Sequence, residues 1–263
     1  SNRTELESIK VGSIRALLPN EILLIIMKKL DNVDALYSLL DVNNQQLDII
    51  AQDNTFTNTL NFVSTTLTNE IFSLNDTVID RFCINILPRI HHNVKSLILD
   101  SLSMERILRV ADYPNLTKLK LFNFSLNITR YYFTDRSLIG KMLQRQITDL
   151  ILVFGTECKA ISIKLYRMDV YGYLLTFFDN LKHFSNIGSY SYDFPPLQLS
   201  KSPFSPFFSS TLQKLCIRVM TYDDCLVLLD GRLKQLTTLI VDIINMTSCS
   251  SNIYNMVSLH FIN

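Results

Sequence analysis

The residues with the greatest chemical capacity are the adjacent pair His91-His92, Cys83 eight residues earlier, and the neighbouring carboxylates Asp223-Asp224. A thiol beside an imidazole can serve as an activated nucleophile, and paired carboxylates can divide acid and base roles. Each set lacks the rest of its machinery. No glycine turn accompanies Cys83 to form an oxyanion hole, and the sequence supplies no third ligand near the histidines. Asp223-Asp224 stands where a helix should begin, and acids there cap exposed backbone N–H groups. Cys83, Cys158, Cys216, Cys225 and Cys249 are odd in number, widely spaced and without a CxxC pair, so they read as free thiols in a reducing compartment. Phosphate-binding glycine loops, dinucleotide fingerprints and HExxH are missing. The expectation is a protein that is not an enzyme and needs no cofactor or metal. A catalytic alternative requires the fold to gather Cys83, His91 and an acid in one pocket.

Composition narrows the partners. Of 263 residues 48% are apolar, enough for a continuous core, and the formal net charge of +1 gives no global field. A nucleic-acid binder usually carries a basic excess, so protein partners are expected instead. The polar start, Ser1 to Lys10, has no signal-peptide core, and no later apolar run is long enough for a membrane helix. Cytoplasmic or nuclear residence follows as an expectation.

The elements that must position these groups divide the chain. Residues 1–15 read as a flexible leader. Pro19 opens a short helix that Lys28-Lys29 closes, and six consecutive apolar residues, Ile22 to Met27, leave it almost no polar face. Asp34 can cap a second helix carrying Leu36, Leu39 and Leu40, and a third starts near Leu47, Ile49 and Ile50. A 16–55 module of three short helices has too small a core to stand alone. It must lean on the rest of the chain or on a partner.

Beyond residue 90 an apolar triplet at i, i+3, i+5 recurs: Val94-Leu97-Leu99, Leu116-Leu119-Leu121, Ile147-Leu150-Leu152, Leu212-Leu215-Ile217, Leu236-Leu239-Val241 and Met256-Leu259-Phe261, with Leu181-Phe184 a degenerate case. First members lie 20 to 34 residues apart. This is the LxxLxL core of leucine-rich repeats, in which a short strand points alternate side chains inward and a helix brings the chain back. Segments 104–110, 133–143, 170–178 and 223–229 read as those helices. The asparagine that usually follows the strand is replaced by Leu102, Phe124, Gly155, Met220 and Ile244, so apolar packing is expected to hold the turns. An ordinary α/β domain with parallel strands is the competing architecture. Residues 189–211, rich in Pro and Ser, read as an excursion whose Phe194, Phe204, Phe207 and Phe208 fold back onto the repeats. No capping element follows Phe261, so the array is expected to be closed by a partner or to be truncated.

The helical module resembles the F-box, on Leu18-Pro19, Glu21-Ile22-Leu23, Ile26, Leu30, Leu36, Leu39, Val42 and Leu47. The later pattern departs at Gln46-Leu47, where the family often has an aromatic. An F-box followed by such repeats is similar to the F-box and leucine-rich-repeat proteins. That resemblance implies an α/β fold in which a three-helix F-box module precedes a leucine-rich-repeat-like solenoid (56–263) of parallel strands and short helices. It implies a substrate receptor of a cullin-based ubiquitin ligase, docked on a Skp-type adaptor through Leu18, Pro19, Glu21, Ile22, Leu23, Ile26, Leu30, Leu36, Leu39 and Val42. Its repeats would hold an unknown protein target, and thioester chemistry would belong to other subunits. On the strand face opposite the triplets, Lys118, Lys120, Phe122, Lys214 and Arg218 are the expected target contacts, suited to an acidic or phosphorylated peptide. The alternative is a repeat scaffold whose helical module only caps the array.

Overall fold

Successive side chains of a strand point to opposite faces, so the second and third members of each triplet share one face. The computed structural model describes residues 20–40, 48, 51–65, 71–124, 126–134, 136–154, 171–188, 196–197, 199, 208–231, 233–245 and 257–262. They form two compact units: residues up to Ile98 with Arg106–Asn115, and Leu99–Glu105 with the residues from Leu116 on. The boundary expected at residue 56 is therefore corrected, because 56–98 belong with the helices before them.

In the first unit α1 (Asn20–Met27) and α2 (Asn32–Leu39) are followed by α3 (Asn54–Thr57) and strand β1 (Thr59–Asn61). Asp31, not Asp34, occupies the cap position of α2, and Asp34 sits in its first turn beside the positive end of the helix. Leu36, Leu39 and Leu40 are buried with Phe56, Leu60 and Phe62. Strands β2 (Val63–Thr65) and β3 (Ile71–Ser73) make a separate antiparallel pair. Helix α4 (Asp76–Arg81) then widens into a π turn, Phe82–Ile86, before α5 (Leu87–Ile90). Pro88 cannot donate to the carbonyl four residues back, and its ring crowds that carbonyl; the wide turn carries the helix past it. Arg81 ties α4 to α2: it donates to the Leu40 carbonyl at 2.9 Å and stacks 4.2 Å from the Tyr37 ring centroid. A 3-10 turn, His91–Asn93, leads to β4 (Ser96–Asp100), which runs parallel to β1 with Leu60 opposite Leu97.

In the second unit β5 (Lys118–Phe124), β6 (Asp149–Phe154), β7 (His183–Gly188), β8 (Lys214–Thr221) and β9 (Thr238–Asn245) pair in parallel, each with the next. The register stacks the triplets: Leu119, Leu150, Phe184, Leu215 and Leu239 form one row across the strands, and every member is buried. Within this unit the strand order follows the chain, β5-β6-β7-β8-β9, so no topological switch point arises. The fold is mixed α/β with a mostly parallel sheet.

Four expectations need correction. After α6 (Ser101–Leu108) and β5, the helix expected over 133–143 starts later than expected: α7 (Leu126–Tyr132) ends before Phe133, and α8 (Leu138–Gln146) begins beyond it. Phe133 is buried against Phe124, against Phe177 of helix α9 (171–177) and against Phe178, and Gly140 packs so closely on the turn that a Cβ would clash with the Thr134 carbonyl oxygen. The last triplet lies in β10 (Val257–Ile262), which is antiparallel to β9. The connection from Asn245 to Val257 is shorter than the dozen or more residues that a parallel crossover requires. Turns after strands are not held by apolar packing alone. Asp100 accepts from Leu102 N at 2.8 Å and from the side chain of Asn123, itself at a positive φ of 51° that asparagine tolerates. Asp224, fully buried at the start of α10 (Tyr222–Leu228), completes a capping box with Thr221 and accepts from Leu199 N at 2.7 Å. Finally, Phe208 is exposed instead of folding back; Phe194, Phe204 and Phe207 lie outside the described residues. The excursion does return at Leu197, which bridges in parallel to Val219 where β7 no longer pairs with β8.

Burial differs sharply between neighbours on β6, so Leu150→Ala should cost about 2–5 kcal/mol and Ile151→Ala under about 1 kcal/mol. Urea denaturation of both variants checks the face assignment.

Candidate functional site

Two surfaces and one cluster carry the residues singled out by sequence. The first surface is α1. Ile22, Ile25, Ile26 and the following Leu30 are 42%, 58%, 45% and 43% exposed, while Met27 is buried. Spacings of three, four and eight residues put the exposed set on one side of the helix and its final turn. Leu30 N bonds to the Met27 carbonyl at 3.0 Å, which tightens that turn and keeps Leu30 in the stripe. Leu18, Pro19 and Val42 lie outside the described residues, as do the side chains of Glu21 and Leu23. Leu36 and Leu39 are corrected: both are buried in their own unit and offer nothing to an incoming partner.

The second surface is the face of the β5–β9 sheet opposite the buried triplets. Register places Lys118, Asp149, His183, Lys214 and Thr238 in one row at the strand starts, and Lys120, Ile151, Ser185, Cys216 and Ile240 in the next. Side chains in both rows are half-buried or exposed. One row further along, Val153 and Arg218 are buried, so the accessible field is two rows deep. Arg218 is thereby corrected as a solvent-facing target contact; its nearest carboxylate is Asp242 at 3.8 Å. Lys120 Nζ lies 4.6 Å from the Phe122 ring centroid, so those two expected contacts act as one cation–aromatic pair. His183 and Asp149 pair at 2.7 Å. Burial pushes the Asp149 carboxyl up, but hydrogen bonds from Thr148 and His183, with the charges of His183 and Lys118, outweigh it and hold the group below its ordinary value.

His183 and Ser185 were missing from the sequence-derived contact set. Placing Phe184 in the buried row, as the degenerate triplet allows, puts its two neighbours on the open face.

The cluster with catalytic residue types lies in the first unit. The His91 ring stands edge-on 6.4 Å from Tyr113, whose hydroxyl donates to the Ile107 carbonyl at 2.7 Å. Cys83 Sγ approaches the Arg106 carbonyl at 3.9 Å. Burial pushes the Cys83 thiol up, with Arg106 only partly opposing it. An activated nucleophile needs the opposite direction. Arg106 itself is occupied by Asp76 and Asp80. Among the described residues no three His, Cys, Asp or Glu side chains gather as a metal-binding set, and no helix is long and apolar enough to cross a membrane.

The chain matches no protein-family model, no curated protein and no solved structure.

Because the folded-state value of Asp149 is depressed, its contribution to stability is present above the unfolded carboxylate value of about 3.9 and is lost as pH falls through the folded value. The stability gap between wild type and Asp149→Asn should therefore close as pH drops from about 5 toward 2. Urea melts at several pH values read it directly; a gap that widens on acidification contradicts the assignment.

Proposed function

We propose that this protein is the substrate-recognition subunit of a cullin-based ubiquitin ligase. In this reading α1 docks on a Skp-type adaptor and the open sheet face receives the target protein. The observation that carries it is the apolar stripe Ile22, Ile25, Ile26 and Leu30, left exposed on a helix whose opposite side is anchored by Met27. Exposed aliphatic side chains in a continuous row mark an interaction site more often than a solvated helix face. The F-box resemblance, which begins at Leu18-Pro19 and runs through the same helix, names the partner. Support for a repeat array in the second half comes from strands that follow chain order and from triplets that fall in register.

A second reading keeps the repeats and drops the ligase. Leu36 and Leu39, expected at the adaptor, are buried in the first unit, which favours a helical module that seals its own chain.

Co-expression with a Skp-type adaptor separates the two. Wild type should co-purify with the adaptor, and the double variant Ile22→Asp, Ile26→Asp should lose it with an unchanged circular dichroism spectrum and melting temperature, as exposed substitutions usually shift stability by under about 0.5 kcal/mol. Met27→Asp serves as the control that unfolds the unit. An adaptor retained by the double variant, or never captured by wild type, removes the ligase assignment.

A further inference from the structure

Both carboxylates on this side of the β5–β9 sheet have partners: Asp149, in the first row, pairs with His183, and Asp242, in the row beyond the accessible field, lies 3.8 Å from Arg218. Three lysines, Lys118, Lys120 and Lys214, share that face without a carboxylate of their own among the described residues, although the Asp149 carboxyl feels Lys118. The face thus carries a local positive excess that the chain's net charge of +1 conceals. Register fixes where that charge sits. Lys118 and Lys120 are two residues apart on one face of β5, so their strand positions are about 7 Å apart. Lys118 and Lys214 stand in the same row three strands apart, about 14 Å. Between them in that row stand Asp149 and His183, paired with each other, and beside these in the next row Ile151 and Ser185.

We infer that the first two rows of this face dock an extended protein segment bearing two anionic side chains, one held by Lys118 and Lys120 and the other by Lys214. An extended chain advances about 3.4 Å per residue, so anions about four positions apart match the two lysine sites. Ile151 and Ser185 in the next row let a backbone lie flat on the sheet. Protein is favoured over nucleic acid. A single-stranded nucleic acid seeks aromatic platforms for its bases, whereas Phe122 already lies under Lys120, the His183 ring is paired with Asp149, and the chain has no tryptophan. A continuous phosphate backbone would also set charge over Asp149, which lies between the two lysine sites, whereas a segment with anions only at those sites does not. The inference rests on the open face being the target-binding surface and is independent of the adaptor.

The test uses the full chain and three fluorescent decapeptides of one sequence, with two phosphoserines four positions apart, two aspartates, or two serines. Fluorescence anisotropy should show the anionic peptides binding at least about tenfold more tightly than the serine peptide, with affinity falling as salt rises. Tighter binding of the phosphopeptide assigns phosphate as the preferred anion; equal binding assigns charge alone, and both support the docking field. Lys118→Glu, Lys120→Glu and Lys214→Glu combined should lose at least about tenfold in affinity, while Lys141→Glu, an exposed change on α8, leaves it unchanged. Circular dichroism monitors folding, and the milder triple alanine variant repeats the measurement if the glutamates disturb it. The inference is overturned if none of the peptides binds, if the serine peptide binds equally, if both triple variants bind as wild type, or if a thymidine oligonucleotide of equal length binds more tightly than the anionic peptides. Adaptor co-purification of the same preparations is scored separately, so loss of one assignment is not mistaken for loss of the other.

Discussion

The second unit depends on one repeated contact: a buried aliphatic or aromatic side chain opposite its counterpart on the next strand. Leu119, Leu150, Phe184, Leu215 and Leu239 stack in a single row, followed two residues on by Leu121, Leu152, Asn186, Ile217 and Val241. Parallel strands gain only slanted hydrogen bonds from each other, so this row supplies much of the reason for one register over its neighbours. A slip by one residue would bury Lys118, Asp149 and Lys214 and expose the leucines. The charged face is therefore the by-product of the apolar one. Asn186 breaks the aliphatic pattern in the second row: its side-chain N–H donates to the Tyr171 hydroxyl, while its Oδ1 is buried without a hydrogen bond.

Polar ties at the strand ends complete the frame. Asp100 and Asn123 join the turns after β4 and β5, and Asp224 joins the start of α10 to Leu199. Buried carboxylates are tolerated when their oxygens are satisfied, and Asp224 receives the Thr221 N–H and hydroxyl as well as the Leu199 N–H. These contacts satisfy backbone and side-chain groups at the strand ends from positions that differ in each turn.

Much of the second unit was legible because a strand reveals itself through residues two apart. The helices after β4 and β8 and the one at 171–177 were also legible, from apolar spacing and from Asp223-Asp224 at a helix start. Other parts were hidden for identifiable reasons. Strand β1 carries the same motif as Thr57, Leu60 and Phe62, all buried, but its first member is a threonine whose hydroxyl is satisfied by the Asp53 carbonyl at 3.0 Å. A search for apolar residues cannot see it. The break at Phe133 depends on rings contributed by β5 and the helix at 171–177, contacts with no local signature. On the two exposed surfaces, Ile22 and Ile26 were readable from a helix with no polar side, while the burial of Leu36, Leu39 and Arg218 was decided by distant neighbours.

The antiparallel course of β10 gives β9 two kinds of neighbour. Its amide and carbonyl groups meet β8 in evenly spaced, slanted bonds and β10 in alternately narrow and wide pairs. A one-residue slip of β10 would turn that whole strand over, so the reversed strand has to match β9 in face as well as in direction.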